Sequence, residues 1–326
     1  MVTTPTYAQF KGITNYGETQ ILTELENNMK QFLDWALLRV GAWTDVTIGI
    51  ATPDGYGGAP ETLRYVEDSN YTDGQVWQGY RKDFIYESGV DFNDGTATRN
   101  PINIQTSGVS VAGTYQTTGY HINYPYGRVI FDTAISTAST VKLNYSYRSV
   151  QVVVADNAPW WRELQLRSFR VDDLHFTQDD RTGDWSIGGN HRIQLPAVVI
   201  EAVPRGRSFP YEMGNGSLWI EQDIIFHVLA DDRTTRNKIV SMLQVQNDKS
   251  IWLLDSDVVA ASGAFPLDYR GERVNGNLYP DLVGSATYRW KKCRLKESEV
   301  AEVDAWNEAL YEGTVRTTCE FVFGTS

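Results

Sequence analysis

The stretch that most constrains this chain is residues 217–255, SLWIEQDIIFHVLADDRTTRNKIVSMLQVQNDKSIWLLD, which reads as strand, helix, strand. Leu218, Trp219, Ile220, Ile224, Ile225, Phe226 and Val228 fill both alternations of the extended part, which predicts burial on both faces. Asp231 or Asp232 is placed to cap the helix that follows. Ile239, Val240 and Leu243 give that helix an apolar stripe, with Arg233, Arg236 and Lys238 expected to face water. Asn247 and Asp248 end it. A unit of this kind needs a sheet to close onto, and the rest of the chain has to supply one.

The flanking segments provide it. Residues 191–209, HRIQLPAVVIEAVPRGRSF, give a nearly continuous apolar strand from Ile193 to Val203, and PYEMGNG turns the chain back, so this strand and the next form a hairpin. YRWKKCRLK, 288–296, reads as a strand and TVRTTCEFVF as a closing one. Between them SEVAEVDAWNEALYEG is expected to be a helix capped by Ser298 and stopped by Gly313. Near the other end, Glu18 to Val40 forms the best amphipathic pattern in the chain, through Ile21, Leu22, Leu25, Met29, Phe32, Leu33, Leu37 and Val40. Trp35 and Leu38 widen that stripe, which predicts cover on a second side, from the chain's own sheet or from a neighbouring subunit. TDVTIGIA, 44–51, alternates as a strand.

The middle of the chain has a different rhythm. Residues 53–89 read as a long Gly-rich loop carrying Tyr56, Tyr65, Tyr71, Trp77 and Tyr80, and a long aromatic loop is usually a contact device. Its DGYGG cluster lacks the Gly-Lys-Ser/Thr ending of a phosphate cradle, and turn chemistry explains it. From 90 to 155 short strands alternate with turn signals at Gly108, Gly113, Gly119 and the YPYG at 124–127, which predicts an antiparallel sandwich or barrel. Val141, Leu143, Tyr145 and Tyr147 point to its core, with Lys142, Asn144, Ser146 and Arg148 toward water. DNAPWW then starts a short helix at Pro159.

With 326 residues, 41% hydrophobic, the chain can bury sizeable cores, and 27 Gly and 18 Tyr beside Val, Thr and Ile runs favour extended structure. A net charge of −12 opposes sequence-independent binding to nucleic-acid phosphates. Cys293 and Cys319 are the only cysteines, too far apart for a Cys-x-x-Cys site, and are expected to be reduced, strand-buried thiols of a protein folded in a cytosol. Neither a signal peptide nor a membrane-spanning run is apparent, so the sequons at Asn70, Asn144 and Asn215 carry no expectation of glycosylation.

Catalytic patterns are absent. His121, His175, His191 and His227 never fall at spacings that put two imidazoles on one metal. No Walker, GxSxG or dinucleotide pattern occurs. The acid pairs Asp172–Asp173, Asp179–Asp180 and Asp231–Asp232 read as caps, turns or solvated faces. The sequence therefore predicts no enzyme, no cofactor and no metal. The one concentrated basic feature is Arg289, Lys291, Lys292, Arg294 and Lys296. It is either an edge strand whose lysines discourage stray pairing or an electrostatic dock for an acidic neighbour.

Several phrases together, LDWALLRVGAW, GQVWQGYRKDFIYESGV, YPYGRVIFDTAI with VKLNYSYRSV, the PWW turn, and QDIIFHVLADD leading to SIWLLD, are similar to virion structural proteins of tailed bacteriophages. The last part resembles the core of tail terminator and tail completion proteins. The strand-rich segment between Ala51 and Asp156 departs from that pattern. The resemblance implies an α+β fold, a mixed or antiparallel sheet flanked by helices, with an inserted all-β subdomain. Residues 1–51 would carry an arm, the long helix and the first core strand, 52–156 the aromatic loop and insertion, and 157–326 the α+β core. It further implies a neck protein assembled in the host cytoplasm. Such a protein would be homo-oligomeric, a six-fold ring, touching the connector and the tail tube or sheath, with no membrane and no sequence-specific nucleic acid as partner. Expected contact residues are Trp35, Leu38, Tyr56, Tyr71, Trp77, Tyr80, Arg289, Lys291 and Arg294. Alternatives are a baseplate, collar or capsid decoration protein, or a carbohydrate-binding module that stacks sugars on rings such as Trp77.

Overall fold

The computed structural model describes residues 8, 21–50, 59–86, 100–167, 176–178, 185–187, 191–212, 217–274, 276–307 and 310–323. Helix α1 (Ile21–Arg39) leads into β1 (Trp43–Val46). A β-rich unit follows: β2 (Thr62–Tyr65), β3 (Val76–Gln78), the single turn α2 (Ile104–Ser107), β4 (Val109–Val111), β5 (Thr114–Gln116), β6 (Tyr120–Asn123), β7 (Arg128–Phe131), β8 (Val141–Leu143) and β9 (Tyr145–Arg148). The chain crosses to the α+β unit through β10 (Gln151–Val154) and α3 (Pro159–Arg167). The small strands β11 (Phe176–Gln178), β12 (Trp185–Ile187) and β13 (His191–Ile193) come next. The remainder is β14 (Ala197–Pro210), β15 (Leu218–Ala230), α4 (Arg233–Gln244), β16 (Lys249–Leu254), α5 (Ser256–Ala261), α6 (Tyr279–Gly284), β17 (Arg289–Asn307) and β18 (Leu310–Phe323).

The strand–helix–strand reading of 217–255 holds, and the expected hairpin of β14 with β15 forms. Asp232 is the cap, its carboxylate accepting from the Thr235 N–H at 2.8 Å. The six-stranded sheet runs β10-β14-β15-β18-β17-β16, antiparallel except for β10 against β14. On one face α1 and α4 lay Leu25, Met29, Leu33, Leu37, Ile239, Val240 and Leu243 against Ile220, Ile224, Phe226, Val228, Val315 and Phe321. Burying the four α1 side chains stabilises the fold by roughly 6–12 kcal/mol as an upper bound. On the other face α3 sets Trp160, Trp161 and Leu164 over Val199, Leu229 and Leu310. Among the described residues that cover reaches the β15 end near His227 and leaves the other half of this β15 face without it.

Where β14 passes Ala202 its register with β15 slips, the mark of a bulge. Buried Gln222 fills the gap by donating to the Val203 and Asp223 carbonyls. A Cβ at Gly206 would stand 2.6 Å from the Gln222 Oε1, so any side chain there would have to displace the amide that fills the bulge.

Three expectations for the core are corrected. The described residues of 298–313 form no helix: 298–307 are the C-terminal half of β17 and 310–313 the start of β18, which pair as a hairpin. The register of β17 slips at 295/297, 300/302 and 305/307, so apolar residues drift out of period-two alternation and mimic helical spacing. Gly313 is therefore not a helix stop. It lies in β18, where a Cβ would come within 2.6 Å of Val240 Cγ2 on α4. Arg236 is buried rather than solvated, donating to the Glu312 carbonyl at 3.2 Å and to Asn237 Oδ1.

The β-rich unit forms a seven-stranded antiparallel sheet, β5-β4-β8-β2-β3-β7-β6, around Leu63, Phe84, Tyr124, Val129, Phe131, Val141, Leu143 and Tyr145. β1, expected as the first strand of the core sheet, pairs instead with β9, and Val46 packs in the β-rich interior. β10, expected to close the insertion, belongs to the α+β sheet. The expected loop over 53–89 is corrected as well: 62–78 includes β2 and β3, and Tyr86 belongs to the same interior.

Candidate interaction surfaces

The predicted contact residues separate by burial. Leu38 and Trp77 are each 2% exposed and serve the chain's own cores, so they are unavailable to a partner. Leu38 packs on Trp43 and Ile85. Trp77 donates its indole N–H to the Gly74 carbonyl at 2.9 Å, which removes the ring proposed for sugar stacking. Tyr80 is half-buried, with the Arg81 guanidinium 5.8 Å from its ring. Tyr71 stays 42% exposed. Tyr56 lies outside the described residues. Trp35 is half-buried, its ring 4.1 Å from that of Tyr279.

The basic strand is not an edge. β17 lies between β18 and β16 there, and its cations find partners within the chain. Arg294 meets Asp248 at 2.8 Å, Lys291 stands 5.9 Å from the Phe323 ring, and Arg289 stands 4.9 Å over Trp252 while donating to the Val283 and Gly284 carbonyls. Lys296 bridges Glu221 and Glu320 at 2.9 and 2.6 Å, and Arg316 pairs with Asp223. Lys296, Glu221, Asp223 and Arg316, with Arg207, Glu297 and Thr318, line an open, charge-alternating depression of about 420 Å³ on the sheet face opposite α1 and α4. In these pairs the carboxylates lie largely buried in the sheet while the half-exposed cations face solvent, which gives this surface a fixed charge pattern.

Where the two units meet, the polar groups are buried. Arg148 of β9 forms a bidentate pair with Asp34 of α1, Nε to Oδ1 at 2.7 Å and Nη2 to Oδ2 at 3.0 Å. Arg148 was expected to face water; α1 covers it, and the carboxylate compensates the buried charge. Ser146, also expected outside, is fully buried, accepting from the Ile102 N–H at 2.8 Å and donating to Asp45. Asp83 stands beside the pair at φ 57°, and burial, aided by the Asp34 charge, raises its pKa. Tyr86 donates to the Tyr279 hydroxyl at 2.7 Å. Together they line a cavity of about 250 Å³. A second clamp holds α1 to the sheet: Asn28 Nδ2 donates to the Leu254 carbonyl at 3.0 Å, and the Leu254 N–H donates back at 2.6 Å.

On the α3 side, His227 touches Glu312 through Nδ1 at 3.0 Å and Glu201 through Nε2 at 3.5 Å, under the Trp161 ring at 4.5 Å. Burial opposes its charged form, but the two carboxylates outweigh burial and raise its pKa. Opposite, Cys293 and Cys319 are buried side by side, and their mutual hydrogen bond, with burial, lifts the Cys319 thiol well above its usual range.

A groove of about 590 Å³ lies between α1, β16 and α6. Trp35 and Arg289, both anticipated, line it, joined by Phe32, Arg39, Lys249, Trp252 and Tyr279. The sequence marks Trp252 only as part of a strand in SIWLLD, which does not show that its ring reaches a surface. In the fold β16 is the last strand of its sheet and the ring is 42% exposed.

Among the described residues no group of three or more His, Cys, Asp or Glu is arranged to hold a metal ion. Asp172, Asp173, Asp179, Asp180 and His175 lie outside them, as does most of the N-terminal arm. No described helix is long and apolar enough to cross a membrane. No family model, no curated protein and no solved structure matches this chain.

Proposed function

We propose that this chain is a structural subunit of a tailed-bacteriophage virion at the head–tail junction. Its copies form a ring that caps the tail and joins it to the connector. The reading rests on the sequence resemblance and on one observation above others: the central sheet leaves long stretches of strand edge unpaired on both sides. β14 continues from Glu201 to Pro210 beyond β10, and β17 continues from Glu297 to Asn307 beyond β16. Among the described residues neither stretch has a strand beyond it. A chain with open edges at both margins of one sheet can meet copies of itself on two different sides, which a closed ring requires. Charged residues and bulges along these edges favour side-chain contacts with defined neighbours over indiscriminate strand pairing. The test is labelling on the intact particle. Gold-tagged antibody against this chain should decorate only the neck, at a few copies per particle. Label spread over the capsid, or found at the distal tip, refutes the placement.

A further inference from the structure

The groove between α1 and β16 carries a charge opposite to that of the chain as a whole. Arg39, Lys249 and Arg289 line it and, among the described residues, no acidic one does, although the net charge is −12. Lys249 Nζ stands 4.9 Å from the Phe32 ring, and the Arg289 guanidinium 4.9 Å from the Trp252 ring, so the cations lie against aromatic faces at the groove wall. A site with these walls suits a carboxylate-bearing extended segment with an apolar residue among its acids.

The chain itself contains such a segment. Past Leu295, β17 is no longer paired with β16 and its sequence runs ESEVAEVD, four acids with no base. Glu297 and Glu299 are exposed, and Val300 between the acids is 37% exposed. We propose that the groove of one copy receives the Glu297–Asn307 edge of β17 from the next copy. The groove is a feature of the helical face and the acidic strand a feature of the sheet margin. The contact is therefore heterologous, and repeated from copy to copy with a rotation that closes it builds a ring. This rests on the ring reading above and names the surfaces that would build it.

The experiment is a charge exchange read by sedimentation velocity. Lys249→Glu with Arg39→Glu reverses the groove; Glu297→Lys with Glu299→Lys reverses the strand. Each double variant alone should lose the assembled species, its self-affinity falling by about a hundredfold or more, since facing like charges cost several kcal/mol. An equimolar mixture should reassemble, because each variant's strand then fits the other's groove. Should a reversal lower the melting temperature, Lys249→Ala and Glu299→Ala replace it, and both should weaken assembly. A variant that assembles like wild type, or a mixture that stays apart, overturns the groove assignment and leaves the ring reading standing. A wild-type chain that stays monomeric at every concentration, and in disrupted particles, overturns both.

Discussion

Replacing Arg148 with methionine should uncouple the β-rich unit from the helix that anchors it. The guanidinium makes two short hydrogen bonds to Asp34 and a longer one, 3.3 Å, to the Phe84 carbonyl, with only 12% of the Arg148 and 16% of the Asp34 side chain exposed. Methionine keeps the stem packed but leaves Asp34 ionised and uncompensated beside Asp83. Stranding one partner of a buried pair costs about 3–5 kcal/mol. With an m-value of roughly 2–3 kcal/mol/M, the urea midpoint followed by tryptophan fluorescence should fall by about 1–2 M. Combining Arg148→Met with Asp34→Leu removes the stranded charge and should recover more than half of the loss, about 2–3 kcal/mol relative to the Arg148→Met single variant. A single variant within about 0.3 M of wild type, or a double variant whose losses simply add, would show that the pair is solvent-screened and that the junction is held by packing alone.

Gly313→Val drives two methyls toward Val240 at the α4–β18 contact and should cost at least about 1–3 kcal/mol, visible as a lower melting temperature, and an unchanged melting temperature would contradict the close packing of β18 on α4. His227 is held protonated by Glu201 and Glu312, so its folded pKa exceeds its unfolded value. The stabilisation is complete below the unfolded value and lost as pH rises through the folded one. Stability should thus decline from about pH 6.5 upward. His227→Gln should flatten that slope in urea titrations at several pH values, and an unchanged slope counts against the assignment. Cys293 and Cys319 should stay unreactive toward an aromatic disulfide reagent until the protein unfolds, and prompt labelling of the native chain would contradict their burial.

What the sequence made legible was local. The 217–255 unit announced itself because the Asp232 cap, the Ile239–Val240–Leu243 stripe and the apolar β15 run agree with one another. The helix at 21–39 was equally plain. The 298–313 segment misleads because two register slips within it disguise a strand, and because β15 and β18 hold it through tertiary pairing that no window of sequence displays. The aromatic segment at 59–86 looked like a loop, since β2 and β3 are only four and three residues long. Of the surface, Trp35 and Arg289 were found from their types, but the groove they share was hidden. It depends on which strand ends the sheet, which is decided by pairings between β16 and β17 some forty residues apart.

The account holds that this chain works by touching copies of itself, and its native mass tests that most directly. Sedimentation or mass photometry of the purified chain should show one closed species at a fixed multiple of 36.8 kDa, annular in micrographs. A species of 36.8 kDa alone, persisting at high concentration and in disrupted particles, would contradict it.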